Sequence, residues 1–233
     1  MQGEVPINFA VYGYGVKHNE PAEPAAPGPT RRRNRRGEGR KLRDEIITAA
    51  VELLDEHGDE RAITLRSIAR RIGIAAPSIY PHFPDPQAIM LAVVRQEFGR
   101  LATTMRTAAA GGGQDPRQRL LAACHAYLDL AQIHPGRYRI MFGGLWTPDM
   151  SEGSITEDDM DGLGMDALQV FVDALGDCVA AGQATSTDLF SDAVALWLGL
   201  HGLAHQRAVI RKFPWPQDLA ERIISALAHL KDT

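Results

Sequence analysis

Cysteine is scarce in this chain: Cys124 and Cys178 are the only two in 233 residues. Both lie in helical-looking stretches, so they read as buried, reduced thiols of a cytoplasmic protein rather than as a disulfide framework. No apolar run approaches the roughly 18 residues that a membrane-spanning helix needs, so no membrane span is expected. The opening stretch MQGEVPINFAVYGYGVKHNE has no basic n-region and no continuous apolar core, so no signal peptide is expected either. No alternating strand pattern occurs, which leaves an all-α fold of about nine helices. A Gly-rich phosphate loop, a nucleophile elbow and a Cys-x-x-Cys pair are all missing, so the chain is not expected to be an enzyme or to carry a cofactor. His201 and His205 share a helix face, but Gly202 stands where a zinc-protease pattern needs Glu. No third ligand is placed beside them, so they read as structural histidines and no metal is expected.

What is present is unevenly charged. The net charge of −4 divides into a basic front and an acidic back. From Arg31 to Arg106 there are 15 Lys/Arg against 10 Asp/Glu, and from Thr107 onward 9 against 16. A basic front points to a polyanionic partner there. The first thirty residues contain PAEPAAPGP, a Pro/Ala stretch unable to pack a core and expected to be a disordered linker. Arg31, Arg32, Arg33, Arg35 and Arg36 follow, with Arg40, Lys41 and Arg43 close behind. These cations are placed either to neutralise phosphates or to solubilise a tail. Their position just ahead of the next motif favours the phosphate reading.

That motif is Thr64 to Phe83, TLRSIARRIGIAAPSIYPHF. Leu65, Ile68, Ala69 and Ile72 form one short apolar stripe, and Ile79, Tyr80 and Phe83 a second. Gly73 between them suits a position with positive φ, and Thr64 is placed to cap the first helix. Two short helices around a tight turn are a helix-turn-helix, whose second helix enters the DNA major groove. A preceding helix, Leu42 to His57, supplies Ile46, Ile47, Ala50, Val51, Leu53 and Leu54 as the face that covers it. Ser78 can donate to a base or phosphate, while Arg70 and Arg71 add charge. Pro81 disfavours the α region at Tyr80, so the second helix should end early. Ala75 and Ala76 are poor base readers, which shifts weight to DNA shape and to the arm.

Further helices are expected at about 86–109, 115–133, 137–142, 165–181, 187–212 and 216–231. Between them, 143–164 is Gly-rich, acidic and aperiodic, a loop of unusual length. The domains expected are 1–40, an extension with a basic arm; 41–85, the DNA-binding head; and 86–233, a domain for ligand binding and dimerisation.

The run Ile74-Ala75-Ala76-Pro77-Ser78-Ile79-Tyr80-Pro81-His82-Phe83-Pro84-Asp85 resembles the signature of the tetracycline-repressor (TetR) family. The spacing of Arg43–His57, Thr64-Leu65-Arg66 and Gly73 is similar too. The resemblance implies a homodimeric, ligand-responsive transcriptional regulator, most often a repressor, bound to a palindromic DNA operator. It implies that Thr64 and Arg66 approach phosphates and that Ala75, Ala76, Pro77, Ser78, Tyr80 and His82 lie on the DNA face. Pro86 departs from the pattern by standing where the family commonly has a phosphate-binding Lys.

In the back half, Tyr127, Met141, Phe142, Trp146, Met165, Phe171, Trp197 and His201 are candidates for a pocket binding a small apolar effector of unknown identity. The same residues would otherwise be plain core. Gly199 and Gly202 inside one helix point to close helix approach, and the last two long helices are apolar enough to form a homodimer seam. Two other readings compete. One is an architectural DNA-binding protein with no effector, and the other a protein-interaction module recruiting through the acidic loop.

Overall fold

Apolar residues at helical spacing decide this architecture. A computed structural model describes residues 39–142 and 154–232, and among these the chain forms nine α-helices and no strand. They are α1 (Gly39–His57), α2 (Leu65–Ile72), α3 (Pro86–Gly111), α4 (Pro116–Ile133), α5 (Pro135–Phe142), α6 (Glu157–Met160), α7 (Met165–Ala180), α8 (Leu189–Val209) and α9 (Leu219–Leu227). Single 3₁₀ turns occupy Glu60–Ala62 and Ala76–Ile79. The all-α expectation holds. No described helix is long and apolar enough to cross a membrane.

The described residues divide into two compact units. One gathers the residues up to Gln96 with Gly136–Asp161; the other gathers Glu97–Pro135 with the residues from Gly162 onward. Helix α3 runs through both. In the first unit Ile46, Leu54, Ile68, Ile79, Phe83 and Ile89 are buried, with α2 seated against α1 and the 3₁₀ turn 76–79 against α2. In the second, α4 packs on α7, α8 and α9, and α8 packs on both α7 and α9.

Both cysteines are in this second core. Burial, and then Cys178, push the Cys124 thiol up; burial, Asp115 and Asp177 push Cys178 up to about 11. Both therefore stay protonated thiols at neutral pH.

Helix ends differ from the periodicity reading for local reasons. Asp188 starts α8 by accepting from Ser191 N–H at 3.1 Å, later than expected. Helix α9 is shorter than 216–231 because His229 takes φ 49° and turns the chain away. The tail then forms a single antiparallel bridge between Ala184 and Leu230, closed by Lys231 N–H to the Gln183 carbonyl at 2.9 Å. Within the long acidic stretch the described residues include a one-turn helix, α6, which Thr156 and Asp159 cap reciprocally.

Candidate DNA-binding site

Thr64 begins the helix-turn-helix as expected. Its side chain accepts from Ser67 N–H at 3.0 Å while Ser67 Oγ accepts from Thr64 N–H at 2.9 Å, a closed capping box. Gly73 ends α2 at φ 69°, with Ile74 N–H reaching the Ala69 carbonyl at 2.9 Å. A side chain is strained in that left-handed conformation, which is why glycine stands there.

The second helix of the motif is a 3₁₀ turn rather than an α-helix. Pro77 lies in its first turn and Pro81 follows it, and neither has an N–H to extend a ladder. The early ending is therefore as anticipated, but Tyr80 is not driven from the α region: it keeps φ −56° and ψ −33°. His82 N–H and Phe83 N–H both reach the Ile79 carbonyl, at 2.9 and 3.0 Å, and hold that shape.

This short turn sorts its side chains sharply. Ile79 and Phe83 are buried and anchor it, and Arg43 lays its guanidinium 4.8 Å over the Phe83 ring. Ala75, Pro77, Ser78 and Tyr80 are exposed, Tyr80 to 55%, while Ala76 and His82 are half-buried. A tyrosine this exposed beside a buried anchor contributes little to the core and is free to meet a phosphate or sugar. Arg66 and Arg70 are exposed on α2. Arg71 is not available in the same way: it bonds Glu56 at 2.8 Å and Glu52 at 3.3 Å on α1. The hydrogen bond to Arg71 holds the Glu56 carboxyl below the usual carboxylate range. Arg71 thus fastens α2 to α1, a role its place in a basic run does not reveal.

Arg40 and Lys41 are exposed at the start of α1, and Lys41 lies 4.0 Å from Glu45. The start of α1 is next to the recognition turn: a Cβ on Gly39 would stand 3.7 Å from His82 Cε1. Arg31, Arg32, Arg33, Arg35 and Arg36 lie outside the described residues. At the start of α3, Pro86 follows Asp85, whose carboxylate accepts from Ala88 N–H at 2.8 Å and Ser154 N–H at 3.0 Å. Burial pushes that carboxyl up, but these bonds outweigh it and hold it low. An acid, not a lysine, occupies this end.

Residues 46–93 match the profile of bacterial regulatory proteins of the tetR family, and residues 120–230 that of the tetracyclin repressor-like C-terminal domain. The chain belongs to the TetR family. Its members are helix-turn-helix, DNA-binding transcriptional regulators. The chain is 34% identical over 113 residues to the HTH-type transcriptional activator FasR of Mycolicibacterium smegmatis, covering 47% of this chain and 50% of that protein. It is 32% identical over 99 residues to the tetracycline repressor protein class A from transposon 1721 of Escherichia coli, covering 39% and 44%. The chain thus spans about half the length of the curated relatives it matches, or less. A solved structure of a protein with unknown function from Rhodococcus sp. RHA1 shares the fold at TM-score 0.64 and 24% identity, over 80% of this chain and 91% of that one.

Within this TetR-family fold, the effector candidates fall into separate groups. Tyr127, Phe171, Trp197 and His201 come together in the second unit. Tyr127 meets Phe171 edge-on with centroids 6.0 Å apart, and its hydroxyl lies 3.4 Å from His201 Nδ1. The Trp197 ring is 5.6 Å from His201. Met165 is half-buried at the start of α7. Met141 and Phe142 belong to the first unit, where Phe142 packs on Tyr138 at 5.1 Å. Trp146 lies outside the described residues. One open depression of about 590 Å³ lies between α1 and α2, but its lining of Arg40, Lys41, Glu45, Glu52 and Arg71 is charged and does not suit an apolar ligand.

Burial, and then His205, hold the His201 imidazole below its ordinary value. The unfolded chain then takes up a proton before the folded one as pH falls. Stability contributed by neutral His201 is present at pH 7 and is lost as pH drops below the unfolded value of about 6.5. We expect the urea midpoint to fall between pH 7.5 and 5.5, and to fall less in His201→Asn. Equal falls in the two proteins would contradict the assignment.

Sequence reading missed three ties within the first unit. Arg137 of α5 bonds Asp55 of α1, Nε to Oδ1 at 2.8 Å with a second bond from Nη2. Arg95 bonds Asp159 at 3.0 Å, and Asp85 holds Ser154. Each joins residues more than sixty positions apart, and no local pattern announces them.

Proposed function

We propose that two copies of this chain act together as a ligand-responsive regulator that represses transcription. Paired heads bind successive major-groove turns of a palindromic operator, about 34–36 Å apart. The observation that carries this reading is the recognition turn, which buries Ile79 and Phe83 and presents Pro77, Ser78 and Tyr80 outward. Ala75 and Ala76 offer at most methyl contacts, so phosphate positioning and DNA shape carry much of the recognition. The Tyr127, Phe171, Trp197 and His201 cluster is the candidate position for a small apolar effector with one hydrogen-bonding group, since an imidazole and a phenol stand there among aromatic rings. Such a ligand lowers operator affinity only by its differential affinity for the two head arrangements.

The test starts from duplexes selected with the purified chain from a random library. Tyr80→Ala is expected to weaken binding to the selected duplex about tenfold or more, the scale of one lost charge-assisted or well-placed contact. Circular dichroism should be unchanged, since Tyr80 is 55% exposed. Unchanged affinity by fluorescence anisotropy would remove the turn from the DNA face. A reporter fused to the selected operator then reads the direction of regulation, and higher output with the chain present would overturn repression.

A further inference from the structure

The recognition turn lacks the side chains that read purines. From Ile72 to Pro84 the sequence IGIAAPSIYPHFP holds no Arg, Lys, Asn, Gln, Asp or Glu over 13 residues. Arg and Lys read guanine from the major groove, Asn and Gln read adenine, and the acids accept from the cytosine amino group. Guanidinium groups on neighbouring elements do not take over that work. Arg71 is bonded to Glu52 and Glu56, and Arg43 lies over the Phe83 ring. Arg66 and Arg70 are exposed on α2, the helix of such a motif that crosses the backbone instead of entering the groove. His82 is half-buried, with its Cε1 beside the start of α1.

What the turn presents is mostly carbon. Ala75 and Pro77 are exposed and Ala76 is half-buried. Burial of Ile79 and Phe83 fixes which way the turn faces, and Ser78 N–H closes it on the Ala75 carbonyl at 2.9 Å. Ala75, Ala76 and Pro77 thus form a short apolar ridge with the Ser78 hydroxyl beside it. Among the four bases only thymine carries an apolar group into the major groove, its 5-methyl.

We propose that each head identifies its half-site by pyrimidine 5-methyl groups: thymine under the ridge of Ala75, Ala76 and Pro77, or 5-methylcytosine in thymine's place. This rests on the DNA-binding reading above and names the bases it selects. Phosphate contacts and groove shape supply affinity, and the methyl groups supply identity. Ser78 tolerates both pyrimidines, since a hydroxyl donates to the thymine O4 and accepts from the cytosine amino group. One methyl buried against the ridge strengthens binding about fourfold, and one in each half-site about sixteenfold.

The test uses the full chain and the duplex selected from a random library. Each thymine is replaced in turn by uracil, which keeps the pairing and the O4 acceptor and loses only the methyl. At least one position in each half-site is expected to lose about fourfold in affinity by fluorescence anisotropy. At that position 5-methylcytosine paired with guanine should bind about fourfold tighter than cytosine paired with guanine. 7-Deazaguanine, which lacks the N7 acceptor, should change affinity less than twofold at every guanine. The double variant Ala75→Gly with Ala76→Gly removes two methyls from the ridge, and with unchanged circular dichroism it should erase the thymine–uracil difference at one or more positions. A chain that selects no duplex would overturn the DNA-binding reading itself. On a duplex that binds, a flat uracil scan or a tenfold loss at any 7-deazaguanine would overturn the methyl reading alone. So would a thymine–uracil difference that survives at every position in the double variant, because it would belong to DNA shape.

Discussion

Deleting residues 1–36 is expected to weaken operator binding by about a thousandfold near physiological salt and to flatten its salt dependence. On α2 and at the start of α3 the head commits few cations to DNA. Arg71 is held by Glu52 and Glu56, Arg43 is stacked on Phe83, and the start of α3 presents Asp85 and Pro86. Arg66 and Arg70 alone on α2 neutralise few phosphates. The five arginines of 31–36 precede α1, and α1 begins beside His82 of the recognition turn. We expect the arm to reach the phosphates or minor groove flanking the site the head occupies. Each phosphate neutralised contributes about −0.9 to the slope of log K against log salt, so three contacts per arm in a dimer amount to roughly five units. Titrations of the full and shortened chains between 50 and 300 mM salt measure this directly, and parallel lines would remove the arm from the mechanism. Replacing the five arginines with glutamine should reproduce the deletion, which separates charge from chain length.

The head was legible because its signals are local. A cap at Thr64, a left-handed glycine at Gly73 and an apolar stripe on α1 each act over four to seven residues. The two prolines also announced a short recognition element, although Tyr80 shows that tertiary anchoring by Ile79 and Phe83 outweighs the local preference Pro81 imposes. The back half was legible only as helices. Tyr127, Phe171, Trp197 and His201 converge because they lie on the packed faces of α4, α7 and α8, which periodicity identifies. Nothing in periodicity says which helix a face meets, so Met141 and Phe142 were grouped with them although they belong to the other unit. The shortened α9 follows from a single residue, His229, whose positive φ no pattern foretells. Arg71 looked like surface charge and serves as a fastener. Ion pairs between residues far apart in sequence are the least visible class of all.

The most consequential of those pairs is Arg137 with Asp55, and breaking it is expected to destabilise the first unit by about 2–3 kcal/mol. That figure is below the full range for a buried pair because Asp55 retains 34% side-chain exposure, which screens it, whereas Arg137 retains 10%. The contact is two-pronged, and the backbone beside it is tight: a Cβ on Gly136 would stand 3.2 Å from the Leu54 carbonyl. Helix α5 is therefore seated on α1 by both an ion pair and a close backbone approach. Asp55→Asn keeps the shape and removes the charge. It should lower the unfolding midpoint, while Arg137→Lys, lacking the planar fork, should recover little. The double variant Asp55→Asn with Arg137→Met should be more stable than the sum of the single changes, since removing both partners leaves no buried charge behind. Additive losses in that cycle would mean that the two side chains do not act as a pair.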